Sequence, residues 1–259
     1  NFQKGYINDL QWKNQLERDY EEDYNSINQS NNYKTYEYCL NLTKLCPEIK
    51  FKLLISELYK SNDLDLSLLE LTYLSKNIKL LTNLTGLDLC GNQIHSLPTE
   101  IGLMTNLEKI DLSELPLQFL PIEIESLTKL KRLDMRYDKF QVFPFEIIKL
   151  TGLEHLNISI NKLRSLPIEI KYLTNLQTLN FSDNKLKSFP IEITQLTKLQ
   201  VLNFSHNKLD FIPMEISHLT ELRRLNFSNN KLHSVPEEIS QLTNLQTLFL
   251  RDNYFRSVP

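Results

Sequence analysis

From residue 84 onward, apolar residues recur on a fixed 23-residue frame. The copies are LTGLDLCGNQIHSLPTEIGLMTN (84–106), LEKIDLSELPLQFLPIEIESLTK (107–129), LKRLDMRYDKFQVFPFEIIKLTG (130–152) and LEHLNISINKLRSLPIEIKYLTN (153–175). LQTLNFSDNKLKSFPIEITQLTK (176–198), LQVLNFSHNKLDFIPMEISHLTE (199–221) and LRRLNFSNNKLHSVPEEISQLTN (222–244) complete seven full copies, and LQTLFLRDNYFRSVP (245–259) is a partial one. A degenerate copy occupies 61–83, in frame through Leu64, Leu66, Leu71, Leu74, Ile78 and Leu81. With positions numbered 1 to 23, apolar residues at 4 and 6 alternate with variable ones at 3, 5 and 7, which predicts a short strand. Apolar residues at 1, 4, 6, 11, 14, 18 and 21 form an inward set. Proline at 15 and glutamate at 17 predict a short helical turn, with the proline at its first position and the carboxylate on its exposed N–H groups. Burying one inward set does not offset the entropy of ordering a whole copy, so copies fold only by stacking. Like strands stacked at one period pair in parallel, here as a continuous sheet of nine.

Residues 1–60 lie outside this frame. Tyr6, Ile7, Leu10, Leu16 and Tyr20 give 1–24 the spacing of an amphipathic helix. NSINQSNNYK (25–34) reads as a loop, and PEIKFKLLISELYK, from Pro47, as a helix carrying Ile49, Leu53, Leu54 and Leu58. The expected role of 1–60 is a helical cap over the first strand's edge, with an independent interaction segment as the alternative. The solenoid is then 61–259.

The string L-x-x-L-x-L-x-x-N-x-L resembles the leucine-rich repeat. Its continuation L-P-x-E-I-x-x-L-T-x resembles the 23-residue form found in Ras-suppressor-like and Scribble-like scaffold proteins, and in bacterial proteins that include secreted effectors. The likeness is strong over 84–259 and weak over 61–83. It implies an α/β solenoid: a horseshoe with a parallel concave sheet, short helical or 3-10 turns on the convex side, and partners bound on the concave side. It also implies a ladder of the position-9 asparagines Asn92, Asn161, Asn184, Asn207, Asn230 and Asn253, whose amides can both donate to and accept from turn backbone. Two adjacent copies depart from this rule. Leu115 stands at position 9 of one, followed by Pro116, which removes an N–H from the turn; Asp138 stands there in the next, and a carboxylate accepts but does not donate. Decay of a neutral position and a local change of curvature serving a partner both account for them.

Composition narrows the function. A net charge of −3 gives no overall footprint for nucleic acid, and no apolar run is long enough to span a membrane. Five glycines leave no phosphate-cradling loop, and three cysteines (Cys39, Cys46, Cys90), an odd and low number, argue against a disulfide framework; reduced thiols near a core are the expected state, with a Cys39–Cys46 pair as the alternative. The glutamates at position 17 (Glu100, Glu123, Glu146, Glu169, Glu192, Glu215, Glu238) invite acid–base or calcium chemistry, but capping of the turns explains them. Sequons at Asn157, Asn180, Asn203 and Asn226 follow from the repeat itself; unmodified, they fit a cytoplasmic setting, of the producing cell or of a host.

The copies also separate fixed letters from free ones. Positions 2, 3, 5, 7 and 8 are expected to face or flank the outer sheet, and the asparagines and serines of 153–244 would keep it wettable. Copy 130–152 instead presents Lys131, Arg132, Asp134, Arg136 and Tyr137, flanked by Lys109 and Asp111 on one side and by His155 and Ile160 on the other. Arginine and tyrosine are common interface anchors, and the admixture of Glu108, Glu114 and Glu154 favours a protein partner over a phosphate polymer. A second candidate joins Arg224, Phe249 and Arg251, near Arg223; either a partner or a further copy would cover Phe249. The apolar row at position 16 (Ile122, Phe145, Ile168, Ile191, Met214) reads as packing between turns, with a second contact face as the alternative. No nucleophile–base pair, metal spacing or cofactor motif occurs, and His155 and His206 fall two copies apart. The expected function is therefore a non-catalytic protein-recognition module or scaffold. The alternative is the substrate-recognition part of a larger enzyme or secreted effector, with further repeats or domains beyond Pro259.

Overall fold

The computed structural model describes residues 62–74 and 76–255. Each copy there contributes one three-residue strand: β1 (Asp63–Asp65), β2 (Gly86–Asp88), β3 (Lys109–Asp111), β4 (Arg132–Asp134), β5 (His155–Asn157), β6 (Thr178–Asn180), β7 (Val201–Asn203), β8 (Arg224–Asn226) and β9 (Thr247–Phe249). They pair in parallel in sequence order, and every register is offset by one repeat, as in Leu133↔Leu156 and Leu156↔Leu179. The expected continuous sheet is present, in an α/β leucine-rich-repeat horseshoe. The cap expected over 1–60, together with Cys39 and Cys46, lies outside the described residues.

The strands are short because the chain turns at position 8 of every copy, which adopts a left-handed φ between 53° and 69° from Leu68 to Asp252. Gly91 meets this at no steric cost; Tyr137 and the β-branched Ile160 do not. The inward set is buried almost throughout, as in Leu130, Leu133, Met135, Phe140, Phe143, Ile147 and Leu150. At position 6 the C-terminal copies carry Phe181, Phe204 and Phe227, whose rings follow one another at 5.6 and 6.0 Å. Phe189 packs against the second and third of them. In the same place earlier copies have Leu112, Met135 and Ile158.

On the opposite side, each full copy forms a five-residue 3-10 turn, for example Ile168–Tyr172. The proline stands immediately ahead of the turn, not at its first position. There its φ near −70° and its missing N–H both fit, and its carbonyl accepts from the buried isoleucine three residues on, as in Ile170 to Pro167 at 3.1 Å. Three residues per turn send position 18 inward and position 16 outward. The row Ile122, Phe145, Ile168, Ile191 and Met214 is accordingly 46–66% exposed, which corrects its reading as packing between turns.

The asparagine ladder ties each copy to the one before it. Asn184 Nδ2 donates to Phe181 O and Ser182 O in its own copy and to Ile158 O in the preceding one; its Oδ1 accepts from Leu163 N, also in the preceding copy. Asn161, Asn207 and Asn230 repeat the pattern. All four are buried, so each satisfies groups that water does not reach. Leu115, in the same interior position, is 1% exposed and belongs to the core.

Candidate partner-binding face

Position 5 carries an aspartate or asparagine from β1 to β8 for a structural reason. Its side-chain oxygen accepts from the backbone N–H two residues on, which fixes the exit from the strand: Asp65 from Ser67 at 2.8 Å, Asp134 from Arg136 at 3.0 Å, Asn203 from Ser205 at 3.0 Å. Position 7 follows this turn inward. Ser113, Ser159, Ser182, Ser205 and Ser228 are only 0–7% exposed, so these serines do not wet the outer face as the alternating pattern suggests. Arg136 is too long to tuck in and is exposed.

What faces outward is a groove of about 690 Å³ running along β1 to β6. Its walls are the position-3 and position-5 side chains, among them Lys109, Arg132, Asp134 and His155. Lys109 Nζ lies 3.5 Å from the Asp63 carboxylate, two strands away. Beside the groove Lys131 donates to Glu108 at 3.0 Å, and Arg136 Nε lies 3.9 Å from Asp134. Arg132 is exposed and takes part in no ion pair among the described residues. Aspartates line the groove at position 5 in four successive strands, at Asp65, Asp88, Asp111 and Asp134, and asparagine takes over at Asn157. Burial pushes the Asp88 and Asp134 carboxyls above the usual carboxylate range, with like charges on adjacent strands adding to it. Burial, with Arg132 beside it, lowers the His155 imidazole and favours its neutral form.

At the rim, Tyr137 and Ile160 sit side by side in adjacent copies, 61% and 39% exposed, both in the left-handed conformation. Glu114, Asp183 and His206 share that backbone elsewhere with polar side chains. A hollow of about 370 Å³ adjoins Tyr137, lined also by Glu114, Leu115, Pro116 and Lys139, so the irregular rung and the exposed ring share one edge. Arg224, Phe249 and Arg251 lie on or just beyond β8 and β9, away from this cluster. Phe249 is exposed and, having no side-chain oxygen, lacks the turn acceptor of its column.

One grouping escaped the sequence. Ligand atoms of Asp88, Cys90 and Asp111, from two adjacent copies, lie within 4.8 Å of one another. Burial raises both the Asp88 carboxyl and the Cys90 thiol, which opposes the deprotonated forms a cation requires.

Residues 146–251 match the family described as a leucine-rich repeat region, and residues 83–104 match the leucine-rich repeat. The fold is a leucine-rich-repeat solenoid. It is similar to a leucine-rich-repeat protein of Leptospira interrogans, with 41% identity and a TM-score of 0.75 over 76% of this chain and 50% of that one. An internalin (InlF) of Listeria monocytogenes shows 27% identity and a TM-score of 0.65, over 71% of this chain and 54% of that one. The Arabidopsis receptor kinase HAESA, in complex with the peptide hormone IDA and a co-receptor, shows 29% and 0.64, over 74% and 34%. The leucine-rich-repeat chain thus spans about half the length of the two bacterial structures and a third of the receptor. No curated protein sequence matches it. Among the described residues, no helix is long and apolar enough to cross a membrane.

Proposed function

We propose that this solenoid is a non-catalytic recognition module or scaffold that takes a protein partner on its concave face. Lys109, Arg132, Asp134 and His155 contact it in the groove, and Lys131, Arg136, Tyr137 and Ile160 contact it at the rim. The observation carrying this reading is the coincidence of three features on copies 107–175: the groove, an arginine in no ion pair, and two exposed apolar side chains held in a backbone conformation that glycine or asparagine adopts more cheaply. The similarity to a receptor solved with a peptide hormone supports binding of a polypeptide. Arg224, Phe249 and Arg251 form a second, smaller contact in this proposal, and residence in the cytoplasm belongs to it too, to be checked by cell fractionation.

The test is affinity capture with the wild-type chain and with Arg132→Glu, Tyr137→Ala and, as an exposed control outside the groove and its rim, Lys187→Glu. The expected result is one set of proteins retained by wild type and control and lost from the first two variants, all four melting alike. Equal capture by all four defeats the proposed site. The same face would serve as the substrate-recognition part of a larger enzyme or effector, and the gene sequence downstream of Pro259 separates that alternative from a free-standing module.

A further inference from the structure

We propose that Asp138 acts as a proton-carrying rung of the asparagine ladder, its carboxylic acid O–H donating to the Leu112 carbonyl and so joining copy 107–129 to copy 130–152. The starting point is an unmet need in the backbone. In regular copies the position-6 carbonyl receives two ladder amides, one from its own copy and one from the next; Phe204 O receives Asn207 and Asn230. Leu89 O still has Asn92, and Met135 O still has Asn161. Leu112 O falls between Leu115 and Asp138 and receives no ladder amide. Asp138 is the group placed to serve it, by the same offset that carries Asn161 to Met135 and Asn184 to Ile158.

Asp138 is 6% exposed, and neither carboxyl oxygen has a hydrogen-bond partner among the described residues. An ionised carboxylate so placed is a buried, unpaired charge. Burial pushes the carboxyl up to about 9, and the nearby Asp134 and Asp111 charges add to the effect. The Leu117 and Leu115 amides oppose it in part, without reaching hydrogen-bond geometry. At neutral pH the group is therefore the acid, with one proton to donate and an oxygen left to accept: the two functions of the amide it replaces.

The linkage has a definite sign. Below the ordinary aspartate pKa both folded and unfolded chains hold the proton. As pH rises, the unfolded chain releases it while the folded chain keeps it, so stability falls continuously until the folded group itself ionises near pH 9. The test is denaturant unfolding of wild type, Asp138→Asn and Asp138→Leu from pH 4 to 9. Asp138→Asn is expected to match wild type near pH 4, and its advantage in the unfolding constant should then widen by about tenfold per pH unit. Asp138→Leu, which leaves the Leu112 carbonyl unserved, should be at least about tenfold less stable than Asp138→Asn at every pH. An advantage independent of pH defeats the protonated acid, and equal stability of the leucine and asparagine variants defeats the hydrogen bond. Should either variant fail to fold, a carbon-13 titration of the wild-type Asp138 carboxyl decides. No change up to neutral pH upholds the proposal; a midpoint in the ordinary carboxylate range overturns it.

Discussion

Copies 176–244 and copies 107–152 share one frame but are fastened differently. In the former, each turn joins the next through a phenylalanine stack and an asparagine rung, and an asparagine acceptor fixes each strand exit within its own copy. In the latter only the exit acceptors, Asp111 and Asp134, are retained; Leu115 and Asp138 hold the rung positions, and Leu112 and Met135 replace the rings. The outward columns vary in the same two copies. The parallel sheet and the inward set carry the stack where one amide rung is replaced by a leucine and the next by a carboxyl, and the varied surface lies on the same two copies.

The contrast can be broken first at the rings. Phe204→Ala removes a side chain packed against Phe181, Phe189 and Phe227 and should cost about 3–5 kcal/mol in denaturant unfolding, whereas Met135→Ala, at the same position in the irregular pair, should cost about 2–3. The rung comes next. Asn207→Leu strips donors from Phe181 O, Phe204 O and Ser205 O and the acceptor from Leu186 N, a loss of about 3 kcal/mol. The reciprocal change Leu115→Asn exchanges buried apolar area for the same bonds and should shift stability by less than about 1 kcal/mol. The last substitution works in the opposite direction. Ile160→Asn suits the left-handed backbone and should stabilise by about 1 kcal/mol while weakening partner capture. A destabilised Ile160→Asn, or one that binds unchanged, would detach the strain from the function.

The frame, the strands and the parallel order are legible in the sequence because leucine at positions 1, 4 and 21 has one stable place to go. The proposed groove wall is legible too: Lys109, Arg132 and His155 stand at position 3 of three successive copies, a run of basic side chains that the column shows nowhere else. Other features depend on backbone that periodicity does not report. A serine such as Ser182 in an alternating run reads as outward, yet the strand ends after three residues and alternation lapses with it. The turn at position 8 left a trace in Gly91, Asp183, Asn229 and Asp252, residue types that tolerate a positive φ, but Leu68, Tyr137 and Ile160 hid it. Ile168 and its row read as packing because their outward direction follows from three residues per turn. The protonation of Asp138 depends on burial, which its neighbours in sequence do not announce.

The ladder also gives the polypeptide a direction. Every rung reaches back to the turn made before it and none reaches forward, so a chain leaving the ribosome completes each segment by adding the next. Only the newest one waits with its carbonyls half served. A whole repeat can be gained or lost by duplication or excision with every bond re-formed between equivalent partners, whereas a single inserted residue within it misaligns them all.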